Sequence, residues 1–241
     1  MGAFRTLWAA LVSLYEETLV LVGGNFGAII VNLPIGLVLL ILIHLFIPTE
    51  QQVAASVALA ALGWFMPTPG NIALAGLTQT AAGPDIPRLS AFLVNLRQHW
   101  SLAARSSLIS LGVLCMLIWN ITFYVSFGPG WPLFVTIIWL YGLLFWLGLH
   151  IYLVPLAVHV AEPRVFDLYR RAAFIALGHA GYTLVLLLLL LVVSVVSVVF
   201  LPVYVLVAGA FISLAQAHAL REIRRRHGDL ASETEEEVSR L

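Results

Sequence analysis

Four polar side chains interrupt long apolar stretches of this sequence, and they are the residues in it that could carry chemistry. They are Asn32, Asn120, His150 and His179. Amides and imidazoles inside apolar helices either line a path for a solute or hydrogen-bond one helix to another. At a rise of about 1.5 Å per residue, the first three fall in the central zone of their stretches and His179 lies nearer one end. We expect a buried polar cluster that joins helices, with a solute pathway as the alternative.

The histidines do not have the spacing of a metal site. His150 and His159 are nine residues apart, so at about 100° per residue they lie on opposite faces of one helix. The sequence has no His-Glu-x-x-His motif, no Gly-x-Ser nucleophile and no phosphate-binding Gly-x-x-x-x-Gly-Lys loop. Its single cysteine, Cys115, lies inside an apolar stretch. This pattern predicts a protein that is not an enzyme and uses no metal or cofactor.

Prolines mark two places where a helix must bend or break. Pro34 lies within the first apolar stretch, and Pro67 and Pro69 flank Thr68 just before Gly70 and Asn71. Proline removes a helical hydrogen-bond donor, so the segment 67–71 should end one helix. Thr68 as N-cap and Pro69 at the first helical position should then start another. We interpret Pro34, Pro67, Pro69, Gly70 and Asn71 as a structural hinge or partner site, and expect the break near the inner membrane boundary, followed by a helix on the cytoplasmic surface.

Composition defines the class of fold. The chain is 61% hydrophobic and only 10% charged, whereas soluble domains have about 45–50% apolar and about 25% charged residues. Six stretches contain no Asp, Glu, Lys or Arg, and most approach or exceed the roughly 20 residues that cross a bilayer. We therefore predict an all-α polytopic integral membrane protein with about six spans, at 19–47, 51–66, 106–127, 132–160, 172–200 and 202–220.

The arginines predict the orientation of these spans. They fall before the first span and in alternate connections, and the other connections contain none: Arg5, Arg88, Arg97, Arg105, Arg164, Arg170, Arg171, Arg221, Arg224, Arg225, Arg226 and Arg240. Basic residues remain on the cytoplasmic side, so both termini of this multi-pass membrane protein should be cytoplasmic. The sequence has neither a basic stripe nor an aromatic platform for RNA, so we expect no nucleic-acid partner.

Amphipathic segments flank the spans. Apolar residues recur at helical spacing over 4–14 and again over 89–100, which predicts short helices on the cytoplasmic surface. The second of these helices is alternatively a docking surface for a partner. Residues 1–228 should form a single transmembrane domain, and the acidic residues of 229–241 indicate a flexible tail.

Several of these segments together resemble a known family. They are Asn32-Leu33-Pro34-Ile35, the Pro-Gly break followed by Ala73-Leu74, the run 92–100, the segment 152–156 and Arg170-Arg171-Ala172-Ala173-Phe174. Their order is similar to that of the YesL-like membrane proteins with a DUF624 domain, although an extra apolar stretch follows the Leu-Pro-Ile segment. The resemblance implies a bacterial protein that accompanies carbohydrate uptake, with subunits of a sugar ABC transporter as partners.

Two functions therefore remain open. The first is a non-enzymatic accessory or assembly subunit of a bacterial transport system, with the lipid bilayer and a membrane protein as partners. The second is a small-solute transporter or channel that uses the broken second helix and the intramembrane Asn and His residues. A transporter should contain a hydrated cavity that reaches those residues, whereas a scaffold should fill the same space with packed side chains. The oligomeric state is left open.

Single cysteines test the orientation, in a background where Cys115 is replaced by Ser. Cysteines at Glu50 and Gly130 should react with a membrane-impermeant thiol reagent in intact cells, because these arginine-free connections face outward. Cysteines at Asp85 and Ser232 should react only after lysis. The opposite labelling pattern would show that the orientation is inverted.

Overall fold

The structure is a computed structural model that describes residues 2–128, 130–160 and 164–226, with backbone only for Arg226. Its helices are α1 (Gly2–Glu16), α2 (Thr18–Phe46), α3 (Thr49–Gly63), α4 (Pro69–Ala81), α5 (Leu89–Ser126), α6 (Trp131–His159), α7 (Val165–Gly178), α8 (Ala180–Val199), α9 (Leu201–Val203), a π-helix (Tyr204–Ala208) and α10 (Gly209–Arg226). The predicted acidic tail, 229–241, lies outside the described residues.

Five helical segments of the described chain are long and apolar enough to cross a membrane: Thr18–Phe46, Leu89–Ser126, Trp131–His159, Ala180–Val199 and Leu201–Arg225. The chain is thus an all-α polytopic membrane protein, as its composition predicts. The first and fourth predicted spans agree closely with α2 and α6. The amphipathic segment 89–100 and the third span form one continuous helix, α5, of 38 residues. The fifth predicted span, 172–200, is wrong as a single helix because the chain breaks at His179, whose φ is −128° and ψ 39°.

The second apolar stretch is one half of a discontinuous span. With 15 residues, α3 is about 22 Å long and too short to cross alone. Gln52 in α3 contacts His44 of α2, Gly70 at the start of α4 contacts Asn32, and Leu77 lies beside Gly24. Along α3 and then α4, these contacts move steadily backward along α2. The two short helices therefore cross in one direction, antiparallel to α2, and the break lies beside the middle of α2.

This arrangement corrects the expected position of the break. The break is not at the inner boundary, and α4 is not a surface helix, because every residue of 69–78 is buried. Glycine and alanine make α4 narrow enough for α2, α5, α6 and α10 to pack around it. A Cβ atom on Gly76 would lie 2.3 Å from the Asn95 side chain of α5, and one on Gly24 would lie 2.4 Å from Leu77 Cδ2. Close backbone approach thus forms the core of the bundle.

The amphipathic helix α1 packs against α10 and α8 through one face. Ala3, Thr6, Ala10 and Leu14 are buried, and Ser13 Oγ lies 3.1 Å from His218 Nε2 of α10. The opposite face exposes large apolar side chains, Phe4, Trp8, Leu11 and Tyr15. The helix and its two unlike faces agree with the 4–14 pattern, and its position in the membrane interface stays a prediction.

The half of the bundle beyond the break exposes many more apolar side chains than the half around α4. They include Leu33, Leu37, Val38, Ile41, Leu45 and Phe46 of α2 and Trp131, Phe134, Ile138 and Tyr141 of α6. In contrast, residues 147–157 at the other end of α6 are buried without exception. The bundle is therefore tightly packed on the side of the arginine-bearing connections and open to lipid on the other side.

The last span contains an irregular segment that is bonded by an amide. At the π-helix the regular pairing of backbone groups changes, and Asn25 of α2 reaches this region. Its Nδ2 donates to Val205 O at 2.6 Å, and its Oδ1 accepts from Ala210 N at 3.0 Å. Because backbone groups inside a bilayer have no water to bond, this side chain replaces the missing partners.

Replacing Asn25 with Leu should destabilise the protein more than the matched substitution Asn120→Leu. Asn25 is completely buried and bonds to α10 and the π-helix, whereas Asn120 donates to Met116 O of its own helix. Loss of buried partners costs about 1–3 kcal/mol, so Asn25→Leu should lower the melting temperature in detergent clearly. Asn120→Leu should stay within about 0.5 kcal/mol of the wild type. Equal melting temperatures for the two variants would contradict the role assigned to Asn25.

Candidate functional site

The break between α3 and α4 follows the cap predicted from the sequence. After α3 ends at Gly63, the chain is extended at Thr68, whose φ is −72° and ψ 158°. Thr68 Oγ1 accepts from Asn71 N at 3.4 Å, and Pro69 occupies the first turn of α4. Both parts of the prediction, Thr68 as N-cap and Pro69 at the first helical position, are confirmed.

Two amide side chains bond the backbone groups that the break leaves without helical partners. Asn71 Nδ2 donates to Gly63 O and to Met66 O, each at 2.8 Å. Asn71 Oδ1 accepts from Asn32 Nδ2 at 2.9 Å, and Asn32 Oδ1 accepts from Gly70 N at 3.0 Å. The amide pair thus connects α2 to both ends of the break.

Glycine at position 70 makes this pairing possible. A Cβ atom there would lie 2.5 Å from Ala28 O and 2.7 Å from Asn32 Oδ1, closer than real Cβ contacts. The backbone of α4 therefore lies directly against α2. Pro34, which the sequence groups with the hinge, is an exposed residue inside α2, and the helix continues past it to Phe46. Of the predicted hinge residues, Gly70 and Asn71 are the two that hydrogen-bond to the side-chain amide of Asn32 in α2.

An apolar cavity of about 330 Å³ lies beside the break, between α2 and α3. Asn32, Ser56, Thr68 and Tyr204 contribute polar groups to its lining, and most other lining residues are aliphatic, such as Leu33, Leu37, Leu40 and Leu59. Trp64 also lines it, and its indole N–H is buried without a hydrogen-bond partner in the described part of the chain. A space with this lining suits an apolar chain rather than a column of water.

His150 belongs to a second polar cluster, which joins three helices. Its Nδ1 lies 2.6 Å from Trp146 O and its Nε2 lies 2.8 Å from Ser110 Oγ of α5. A carbonyl oxygen can only accept, so in the neutral imidazole Nδ1 donates to Trp146 and Nε2 accepts from Ser110. Ser110 Oγ lies 2.5 Å from Tyr169 Oη of α7, which also donates to Ser106 O at 2.9 Å.

Tyr169 stays protonated in this cluster. It lies in α7, outside the membrane-spanning segments, and burial raises the pKa of its phenol to about 12. The ring of Tyr169 stacks on Trp146 with centroids 5.4 Å apart and an angle of 11° between the planes. The single phenol proton can go to Ser106 O or to Ser110 Oγ, and either bond joins α7 to α5, while the ring packs on α6.

The separation of Ser110 and His150 is that of a serine nucleophile and its base. The surroundings do not suit hydrolysis, since both side chains are 0% exposed. Ser110 also lies in the middle of α5, where the helix uses the backbone N–H groups that an oxyanion would need. We therefore assign this pair to helix packing. That the protein is not an enzyme stays a prediction.

The structure divides the four polar residues of the predicted cluster among separate environments. Asn32 lies at the break, and His150 lies between α5, α6 and α7. Asn120 is half-buried and bonds to Met116 O of its own helix, while His179 lies at the junction of α7 and α8 with its Nδ1 3.4 Å from Ile175 O. One shared cluster is therefore wrong as a description of their positions, although two of the four join helices.

The sequence interpretation did not include several residues that bond in these clusters. Asn25 could have been found, because it lies seven residues before Asn32 and so on nearly the same face of one apolar helix. Ser110 and Tyr169 carry no comparable signal. Serine is common in membrane helices and Tyr169 lies in a charged connection, so only the packing of α5, α6 and α7 brings them to His150.

Comparisons of this chain with protein-family models, with curated proteins and with solved structures find no match. The resemblance to the YesL-like proteins therefore stays a prediction.

Replacing Gly70 with Ala should destabilise the break selectively. The added methyl group would collide with Ala28 O and Asn32, so α4 must move and the amide pair must open; overpacking of this kind costs about 1–3 kcal/mol. Thermal unfolding in detergent measures the effect. Gly63→Ala is the matched control, because its Cβ atom would meet nothing within 4 Å. If both variants unfold at the wild-type temperature, the close contact at Gly70 does not stabilise the protein.

Proposed function

We propose that this protein is a non-enzymatic accessory or assembly subunit of a bacterial transport system in the inner membrane. The observation that supports this proposal is the packing at the broken helix. A discontinuous helix that serves transport exposes freed backbone groups to its substrate or ion. Here the amide groups of Asn32 and Asn71 bond Gly63 O, Met66 O and Gly70 N.

The cavities also favour a packed scaffold over a solute path. The space beside the break is mainly aliphatic, and its lining includes Asn32 but not Asn120, His150 or His179. His150 is completely buried, and both of its ring nitrogens have partners. A path for a polar solute needs water-lined polar groups along its length. Asn32 and His150 instead hold helices together.

The start of α5 offers a surface for a partner. Leu93 and Trp100 are 59% and 53% exposed, and they lie seven residues apart on nearly the same face of the helix. Phe92 beside them is buried and anchors this part of α5 against α2, where its ring lies 3.0 Å from the position of a Cβ atom on Gly27. An anchored helix that exposes apolar side chains is suited to docking. By the resemblance described above, the partner would be the membrane subunits of a carbohydrate ABC transporter.

The double substitution Leu93→Ala and Trp100→Ala should release the partner. Wild-type protein purified from native membranes should bring down transporter subunits in fixed ratio. The double variant should retain at least about tenfold less of these subunits, because truncation of a hot-spot residue costs more than about 1 kcal/mol. Leu108→Ala is the control, since Leu108 is exposed on the same helix. Quantitative mass spectrometry of the purified complex measures the ratio.

Reconstitution of the purified chain alone distinguishes the two functions. Liposomes that contain it should show no saturable sugar or small-solute flux, and His150→Phe should lower only its thermal stability. Saturable flux that His150→Phe abolishes at unchanged stability would overturn the scaffold and identify a transporter. Failure to retain any transporter subunit from native membranes would also count against the accessory role.

A further inference from the structure

A polar cleft of about 1090 Å³ opens between α5, the end of α6 and the start of α7. On the α5 wall lie Gln98, His99 and Arg105, and on the opposite wall lie His159 and Arg164. The cleft is thus at the ends of two membrane-spanning helices, on the side of the bundle that carries the arginine-bearing connections. Its volume is that of a site for an organic ligand rather than for a single ion.

The charges on the described walls of the cleft are positive. Arg105 and Arg164 are exposed, and neither guanidinium has a hydrogen bond or ion pair within the described ranges. By contrast, Arg170 pairs with Asp167 at 3.3 Å. A third arginine reinforces the far wall, because Arg224 Nη1 contacts His159 Nε2. Two planar guanidinium groups on facing walls suit a phosphate, which accepts bidentate hydrogen bonds.

An apolar track continues from the cleft toward the membrane. Gln98, Leu102 and Arg105 lie on one stripe of α5, and the same helical spacing continues through Ile109, Gly112 and Met116. Ile109 and Met116 are 44% and 48% exposed. A Cβ atom on Gly112 would meet nothing within 4 Å, so the stripe is open at its centre. A ligand whose phosphate lies in the cleft would therefore have space for an attached hydrocarbon chain along α5.

We propose that the cleft binds the phosphate-bearing headgroup of an anionic phospholipid, held between Arg105 and Arg164, with an acyl chain along Ile109, Gly112 and Met116. A soluble phosphate compound would use the arginines but leave the apolar track empty. The combination of a basic cleft and an adjacent exposed apolar stripe matches an amphiphile. The basic side of the protein is also the side on which anionic headgroups attract arginine.

Titration of delipidated protein in neutral detergent with phosphatidylglycerol tests the proposal, with bound lipid counted by native mass spectrometry. Arg105→Gln with Arg164→Gln should weaken binding at least about 30-fold, because both guanidinium groups lose their direct charge-assisted hydrogen bonds to the phosphate. Arg97→Gln with Arg171→Gln removes the same charge from exposed arginines outside the cleft lining and should change binding less than about threefold. Equal losses in the two pairs would overturn the site, because attraction would then be general to the surface.

Two further experiments test whether an acyl chain lies along α5 and whether the bound phosphate belongs to a lipid. Gly112→Trp fills the open centre of the stripe, so it should weaken binding of long-chain phosphatidylglycerol at least about fivefold. The same substitution should leave binding of water-soluble glycerol phosphate unchanged. Gly112→Trp also tests lipid binding if the double variant Arg105→Gln and Arg164→Gln does not fold. Glycerol phosphate or inorganic phosphate that displaces the lipid at equal concentration would show a soluble ligand and overturn the lipid assignment. Unchanged lipid binding in Gly112→Trp would overturn the acyl track.

Discussion

The structure depends on satisfying backbone hydrogen bonds at a helix break beside the middle of α2. A bilayer offers no water to an unpaired N–H or C=O group, and each such group costs several kcal/mol. The amides of Asn32 and Asn71 accept or donate at Gly70 N, Gly63 O and Met66 O, so the break persists without solvent. Gly70 lets the two helices approach closely enough for these bonds. Asn25 hydrogen-bonds backbone groups at the π-helix of the last span in the same way.

The break has a consequence for the whole bundle, because it lets a short, narrow helix occupy the centre. Residues 69–78 of α4 are buried on every side, and the helices around it form the packed half of the molecule. The other half exposes apolar side chains of α2 and α6, which suits contact with lipid. The packed centre of the described bundle favours the proposed scaffold, and the two proposed binding surfaces, the start of α5 and the cleft beside Arg105, both lie on its outside.

The polar side chains of the bundle have different roles that depend on whether they are buried or exposed. His150 has the separation from Ser110 that a catalytic pair requires, yet complete burial and a regular α5 backbone make it a bond between helices. Tyr169, from a connection rather than a span, completes that bond. Arg105 and Arg164 are exposed, lie on facing walls and are available to a ligand. Accessibility, more than residue type, separates the structural groups from those suited to binding.

The sequence alone determined the all-α membrane class, the ends of α2 and α6, and the cap at Thr68 and Pro69, because hydropathy, helical periodicity and proline chemistry act locally. It also identified Asn32, Gly70 and Asn71 as notable residues. Only the tertiary structure decided that the stretch 51–66 continues through the break into buried α4, that the fifth stretch breaks at His179, and that Asn32, Asn120, His150 and His179 do not meet. Apolar composition predicts that a helix lies in lipid or protein, but the neighbours of each polar side chain depend on which helices approach one another.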